Sequence, residues 1–107
     1  MSDKYSVKYP GAELIAFERK RQVEAKYWSP DHDDRLKGGE LAEAAACYAM
    51  PEKVRNTDIW DFSVRYRIWP WDEGYWKPTP EDRVGELVKA GALIAAEIDR
   101  LQRKDRV

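Results

Sequence analysis

The most regular pattern of apolar and polar positions lies in the last quarter of the chain. Between Val84 and Leu101, apolar or small residues recur at spacings of three and four, which is the period of one helix face. Thr79 can cap the first turn and Pro80 suits the first helical position. The pattern predicts a helix over residues 80–104, about 37 Å long, which could extend into a partner subunit.

A second helix is predicted over residues 39–50, and Pro51 ends it because a residue that precedes proline is driven out of the helical conformation. Five Ala residues leave this helix almost without side-chain bulk, and the C-terminal helix carries a similar run over residues 91–96. Helices with such small residues can approach closely. We therefore predict that these two helices pack together at the centre of the fold.

A third helical segment is predicted over residues 11–27. Its apolar stripe is weak, consisting of Leu14, Ile15, Phe17 and Val23, and charged or polar residues cover most of the remaining surface. This helix either lies on the protein surface or presents its polar residues to a ligand.

The connector, residues 51–78, contains seven of the thirteen aromatic residues. Within it, apolar and polar residues alternate strictly from Phe62 to Ile68, which is typical of a strand. Residues 5–9 alternate in the same way. The two segments could form a small two-stranded ribbon, within one chain or between chains.

Together these elements predict a mainly α fold. We expect a compact bundle of three principal helices with a Trp-rich connector. A short two-stranded β-ribbon is a possible further element. A chain of 107 residues is too short for two independent cores, so residues 1–107 are expected to form one domain. Because such a domain has a thin core, we expect a homo-oligomer.

Composition narrows the function and the compartment. Lys and Arg number 19 and Asp and Glu number 20, and this balance argues against general nucleic-acid binding and against a membrane-surface protein. The single cysteine, Cys47, excludes an intrachain disulfide and a Cys-based zinc site, and on its Ala-rich helix it is expected to be buried and inert. No signal sequence or membrane span is recognisable, so we expect a cytoplasmic protein.

The first candidate cluster lies on the 11–27 helix. Arg21 and Gln22 lie three and four residues after Glu18, so the three side chains project from one face of the helix, with Arg19 beside them. A guanidinium next to an amide suits the recognition of phosphate or carboxylate groups. The alternative is a solvated helix with internal ion pairs.

The second candidate cluster runs from Trp28 to Asp34 and contains the only histidine, His32, beside Asp33. Such a group could hold a divalent cation or position a water molecule. It could equally be a capped turn, because Ser, Pro and Asp favour turns.

The third candidate is a pair of carboxylates, Glu40 and Glu43, one helical turn apart. Two like charges at this spacing are mildly unfavourable unless a cation joins them, so the pair could bind magnesium. Alternatively, Glu40 interacts with the positive end of the helix and Glu43 faces solvent.

The fourth candidate is the end of the connector, where prolines flank Trp69, Trp71, Trp76 and Lys77. Rigid rings with free faces can stack on a nucleic base, at about 1–3 kcal/mol each. The alternative is a lid of tryptophans over a thin hydrophobic core.

Over residues 13–103 the chain resembles a group of small phage and prophage proteins, a resemblance that implies no particular activity but places the protein in an infected or lysogenic bacterial host. The residues that match are Glu18-Arg19, Arg21-Gln22, His32-Asp33-Asp34, Gly39-Glu40-Leu41, Ala44-Ala45, Tyr48, Trp69-Pro70-Trp71-Asp72, Trp76-Lys77-Pro78, Leu87 to Ile94, Ala96-Glu97-Ile98 and Arg100. Residues 56–68 extend the connector usual in that group.

The chain is also similar to the all-α NTP pyrophosphatases of the MazG type. The residues that match in order are Glu18, Arg21, Gln22, His32, Glu40 and Glu43. In those enzymes a second carboxylate pair on the next helix completes a magnesium site. Here Glu86 is followed three residues later by Lys89, so that pair is missing.

The first two polar clusters precede the 39–50 helix in the sequence, and the aromatic residues of the connector follow it. Together they could enclose a pocket. The leading hypothesis is a phage-type protein that binds a nucleotide-like small molecule without a cofactor and sequesters a host immune signal. Arg19, Arg21 and Gln22 would hold phosphate or ribose, His32 and Asp33 would contact polar edges, and Trp69, Trp71 or Trp76 would stack on the base. The other residues expected around the ligand are Glu18, Trp28, Glu40 and Lys77.

Two other functions stay open. One is a Mg²⁺-dependent nucleotide pyrophosphohydrolase in which Glu18, Glu40 and Glu43 hold the metal and His32 or Asp33 aids the attacking water. The other is an interaction protein whose aromatic loop docks on a host protein and inhibits it.

Overall fold

The computed structural model describes residues 8–25 and 30–105. It is mainly α-helical with one small antiparallel ribbon, which confirms the predicted fold class. The elements in chain order are α1 (Gly11–Ala25), α2 (Pro30–Asp33), α3 (Glu40–Ala49), α4 (Glu52–Arg55), β1 (Asp58–Ile59), β2 (Phe62–Ser63), α5 (Val64–Ile68), a 3-10 turn (Glu73–Tyr75) and α6 (Arg83–Asp105).

The core lies between α3 and α6, which make the most extensive contact of any two elements. This confirms the prediction that the two small-residue helices pack together. Their short side chains bring the backbones close, and Trp69 from the connector closes one end of the core. The other buried core residues are Leu41, Ala44, Ala45, Cys47, Tyr48, Ala90, Leu93 and Ala96.

Helix α1 packs on a different side of α6. At Gly91 the two helices touch so closely that a Cβ at this position would lie 2.7 Å from Cγ1 of Ile15. The buried residues of α1 are Leu14, Glu18 and Gln22, so this helix buries polar as well as apolar groups. It was predicted to continue to residue 27, but residues 26 and 27 lie outside the described residues.

Helix α6 begins three residues later than predicted, at Arg83 rather than Pro80. Asp82 caps it, because its Oδ1 accepts the backbone N–H of Gly85 at 3.0 Å. Thr79 donates its backbone N–H to Glu86 Oε2 at 3.0 Å, a bond that holds the preceding residues in a turn. The predicted Thr79 cap was therefore wrong.

The prediction of a strand over residues 62–68 was also wrong for most of its length. Only Phe62 and Ser63 are extended, and they pair with Asp58–Ile59 rather than with residues 5–9. Ser63 Oγ accepts the backbone N–H of Tyr66 at 3.1 Å, so it caps α5 and turns the alternating segment into a helix. Most of the segment 5–9 lies outside the described residues, and Tyr9 is in a bend.

A buried ion pair fixes the connector to α6. Arg55 at the end of α4 donates to Glu86 on α6 at 2.6 Å, and each side chain is only 2% exposed. Glu86 also accepts a bond from Arg83, which in turn donates to backbone carbonyls at the end of α3. One carboxylate therefore ties together α3, α4 and the start of α6.

Among residues 8–25 and 30–105, no helix has the length and apolar character that crossing a membrane requires.

Candidate functional site

A cleft of about 930 Å³ lies between the polar face of α1 and the end of the connector. Seven residues that the sequence nominated line it: Glu18, Arg21, Gln22, His32, Trp69, Trp71 and Lys77. The remaining lining residues are Tyr48, Pro70, Asp72, Tyr75, Lys89 and Leu93. Members of three of the four candidate clusters thus face one cavity.

The α1 wall of the cleft is built on an internal ion pair. Arg21 donates from Nε and Nη2 to the two carboxylate oxygens of Glu18, at 2.7 and 2.6 Å. Gln22 is 1% exposed and its Nε2 donates to Glu18 Oε2 at 3.4 Å. The ion pair within α1 is the one expected for a solvated helix. However, Glu18 is buried, and Glu18, Arg21 and Gln22 all line the cleft.

The second atom of the Gln22 amide is a buried acceptor. Within the part of the chain that the structure describes, Gln22 Oε1 has no hydrogen-bond partner. Because Nε2 is bonded to a carboxylate, exchanging the amide atoms would place oxygen against oxygen, so this orientation is the favourable one. Gln22 therefore carries an unmet acceptor in the wall of the cleft.

Arg19 and Asp33 do not line the cleft. Arg19 Nη2 donates to Asp33 Oδ2 at 2.8 Å, and Asp33 is completely buried. His32 Nδ1 lies 3.3 Å from the other oxygen of Asp33, so this carboxylate orients the ring that does line the cleft. Arg19 and Asp33 are thus placed to position α2 and His32 rather than to touch a ligand. Trp28 lies outside the described residues.

Helix α2 is also fastened to the end of α6. Arg103 Nη2 donates to Asp34 Oδ1 at 2.6 Å. The hydrogen bond from Arg103 holds the pKa of Asp34 below its ordinary value, although desolvation opposes this shift. The loop that carries His32 is therefore held from both α1 and α6.

The floor of the cleft contains Tyr48, Lys89 and Leu93, which the sequence analysis did not nominate as site residues. Tyr48 Oη accepts the backbone N–H of Lys77 at 3.1 Å, and burial raises the pKa of this phenol. Lys89 Nζ lies 4.8 Å from the centroid of the Tyr48 ring. A signal for Lys89 does exist in the sequence, because it lies one turn before Leu93 and so on the side of α6 that faces the core.

The opposite wall is aromatic. Trp69 is 8% exposed and donates from Nε1 to the backbone carbonyl of Asp72 at 3.1 Å. Trp71 packs edge-on against Trp69, with ring centroids 5.4 Å apart and an angle of 88° between the planes. Tyr75 is 68% exposed. The wall therefore extends from a buried core tryptophan to a ring in solvent. The lid interpretation describes Trp69, and stacking on a base stays a prediction.

Trp76 is partly buried against the core and is not among the cleft-lining residues. Its ring centroid lies 5.0 Å from the guanidinium carbon of Arg65 and 5.2 Å from that of Arg55. It also contacts Tyr48 and Trp69. These contacts assign it to the lid over the core rather than to the stacking position considered for it.

The carboxylates of the metal alternative are dispersed. Glu40 Oε1 accepts the backbone N–H of Gly38 at 2.6 Å, Glu43 is exposed, and Glu18 binds Arg21. Neither Glu40 nor Glu43 lines the cleft. Across the described ranges, no three or more His, Cys, Asp or Glu side chains are grouped as a metal would require.

The charges around the cleft slightly favour an anion. Arg21, Lys77 and Lys89 are cationic, whereas Glu18 and Asp72 are anionic, and Arg21 and Glu18 already form a pair. The two lysines therefore supply the positive potential, one on the floor and one beside the aromatic wall. The resemblances to phage proteins and to pyrophosphatases stay predictions. Neither a protein-family model, nor a curated protein, nor a solved structure matches the chain.

Proposed function

We propose that this protein binds a small nucleotide-like molecule in the cleft between α1 and the connector. The observation that carries the proposal is the meeting of a polar wall, an aromatic wall and two lysines around about 930 Å³. Small-molecule sites in proteins are mostly apolar cavities of roughly 300–1,000 Å³ with a few converging polar groups. The cleft has this size and this mixture.

Each wall suits a different part of such a ligand. Trp71 and Tyr75 offer ring surfaces for a base, and stacking of this kind contributes about 1–3 kcal/mol per base. Lys77 and Lys89 can donate charge-assisted hydrogen bonds to phosphate oxygens. His32 would then meet the polar edge of the base or the ribose, and Gln22, whose amide is buried, would support the wall behind it.

This arrangement changes the roles expected from the sequence. Arg21 is bound to Glu18 by two hydrogen bonds, so it meets a ligand as half of a neutral pair. Arg19 is bound to Asp33 and serves positioning. We assign the phosphate to Lys77 and Lys89, the cleft-lining cations other than Arg21, and the polar face of α1 to the uncharged part of the ligand.

Isothermal titration calorimetry with a panel of nucleotides tests the proposal. The panel should include mononucleotides, cyclic dinucleotides and ADP-ribose, with adenosine and inorganic phosphate as partial ligands. We expect one nucleotide class to bind more tightly than either partial ligand. Lys77→Ala should weaken that binding by roughly 10- to 150-fold, because a hydrogen bond to a charged group contributes about 1.5–3 kcal/mol.

Lys53→Ala is the matched control, since Lys53 is exposed on α4 and lies outside the cleft. It should bind as the unmodified protein does. Absence of binding across the panel, or equal losses in the two lysine variants, would overturn the proposal and would favour docking on a host protein.

We further propose that the ligand is held intact, as sequestration of a host immune signal by a phage protein would require. The location of Glu40 and Glu43 away from the cleft lining supports this choice over hydrolysis. Incubation with Mg²⁺ followed by chromatography distinguishes the two. Intact nucleotide released on heating supports sequestration, whereas pyrophosphate or a cleaved linkage would identify a pyrophosphohydrolase.

A further inference from the structure

Helix α6 carries a second apolar face that nothing in the described structure covers completely. Val84, Leu87, Ile94, Ile98 and Leu101 are each between 43% and 50% exposed. Helix α3 covers the opposite side of α6, and α1 packs beside the exposed face, which it touches at Gly91. The apolar stripe of an amphipathic helix normally faces the protein interior, so this exposed stripe requires an explanation.

The spacing of these residues is that of a helix–helix seam. With Gly91 included, the positions 84, 87, 91, 94, 98 and 101 alternate between steps of three and four. This is the a and d pattern of a heptad repeat, which places every member on one narrow stripe along about 26 Å of helix. We call these six positions the α6 seam.

Gly91 does not leave a gap in the seam. The side chain of Ile15 from α1 lies over it, at the place where a Cβ would otherwise be. Ile15 is itself only partly buried, so it contributes apolar surface to the seam. The stripe is therefore continuous from one end to the other.

The seam is complementary to a copy of itself. From Val84 to Leu101, the exposed residues are the five aliphatic ones and Asp99 at the edge. A two-fold interface places the same patch on both partners, which a charged patch would resist but an uncharged one allows. A regular stripe also fits best against a second helix with the same spacing, and α6 is such a helix.

The area of the seam sets the strength of the interaction. Five half-exposed aliphatic side chains represent roughly 150–300 Å² of apolar surface per chain. A standard stable interface covers about 800 Å² on each partner. The seam alone therefore supports a weak, reversible association rather than a permanent one.

We propose that the protein forms a reversible homodimer in which the α6 seam of one copy packs on the α6 seam of another. This inference does not rest on the ligand of the cleft. Lys89 and Leu93, which line the cleft, each follow a seam position by two residues and so lie on the opposite side of the helix. The cleft stays open in the dimer.

Analytical ultracentrifugation across a wide range of protein concentration tests the proposal. The mass should rise from that of one chain to that of two, with no larger species. The double variant Ile94→Glu/Ile98→Glu should remain monomeric at every concentration, because it places like charges on both sides of the seam. Val54→Glu is the matched control, since Val54 is 40% exposed on α4 outside the seam, and it should dimerise normally.

Circular dichroism shows whether the charged variant is folded, and cysteine cross-linking gives a second measurement that leaves the helix intact. Under mild oxidation Ile94→Cys should form covalent dimers much faster than Val54→Cys, because the natural thiol of Cys47 is buried. An unmodified protein that stays monomeric at the highest concentration, or equal cross-linking of the two cysteine variants, would overturn the proposal.

Discussion

The buried pair of Arg55 and Glu86 offers the sharpest test of how this small fold is stabilised. The two side chains are 2% exposed and joined at 2.6 Å, so each charge is stabilised by its partner and not by water. Glu86→Gln leaves the Arg55 cation buried without its counter-charge. Breaking a buried pair in this way costs about 3–5 kcal/mol, out of about 5–15 kcal/mol for the whole domain.

The chain provides a matched control for this variant. Arg65 and Glu73 are also joined at 2.6 Å, but the Glu73 side chain is 51% exposed. Glu73→Gln should therefore lower the free energy of unfolding by less than about 1 kcal/mol. Urea denaturation followed by circular dichroism measures both losses. Equal losses in the two variants would refute the reasoning, because the two ion pairs have the same length but the Glu86 carboxylate is buried and also accepts hydrogen bonds from Arg83 and the Thr79 amide.

The pair also predicts a pH dependence. Burial acts to raise the pKa of Glu86, but hydrogen bonds from Arg55, Arg83 and the Thr79 amide outweigh it, so the pKa is lowered from its ordinary value of 4.5. A group whose pKa is lowered by folding stabilises the protein above that ordinary value and ceases to do so as the pH falls through its folded pKa. The stability difference between the unmodified protein and Glu86→Gln should be full at neutral pH and should shrink below about pH 4.5.

Three further predictions concern single positions. Gly91→Ala should lower the free energy of unfolding by about 1 kcal/mol, because overpacking against Ile15 at about 1–3 kcal/mol outweighs the gain in helix propensity; a more stable variant in thermal denaturation would contradict the close approach. Burial raises the pKa of Cys47 to about 11, so a thiol reagent at mildly alkaline pH should label it only after unfolding, and rapid native labelling would contradict its burial. Trp60 is 89% exposed with φ 65°, so Trp60→Gly should raise stability by up to about 1 kcal/mol; a loss would show that the ring makes contacts that stabilise the fold.

The sequence predicted best those elements in which the local residue pattern and the packing of the folded protein favour the same structure. The Ala-rich α3 ends at Ala49, two residues before Pro51, as the proline predicts. Its small side chains also allow α6 to pack closely against it. The face formed by Glu18, Arg21 and Gln22 was likewise predictable, because helical spacing alone brings the three side chains together. In both cases a local pattern carries the information.

The failures arise where a distant contact or a cap decides the structure. Alternation over only seven residues is compatible with a strand or a short helix, and the Ser63 cap selects the helix. The late start of α6 follows from Glu86, whose partners Thr79 and Arg55 approach it only in the folded chain. No local pattern marks an ion pair between residues 31 positions apart.

The two walls of the cleft are held in place by different contacts, and this determines how a bound ligand would affect stability. Its α1 wall is held to the rest of the protein through α6 and through the Arg19–Asp33 pair, whereas its aromatic wall is held by Tyr48 and by the core tryptophan Trp69. Among the described elements, the extensive contacts of α1 are with α6 alone, so the two walls depend on different contacts. A molecule that touched both walls would link two parts of the chain that are held by different contacts. If it binds only the native state, it raises the free energy of unfolding by RT ln(1 + L/Kd), where L is the free ligand concentration, so the gain grows with the logarithm of that concentration once it exceeds Kd.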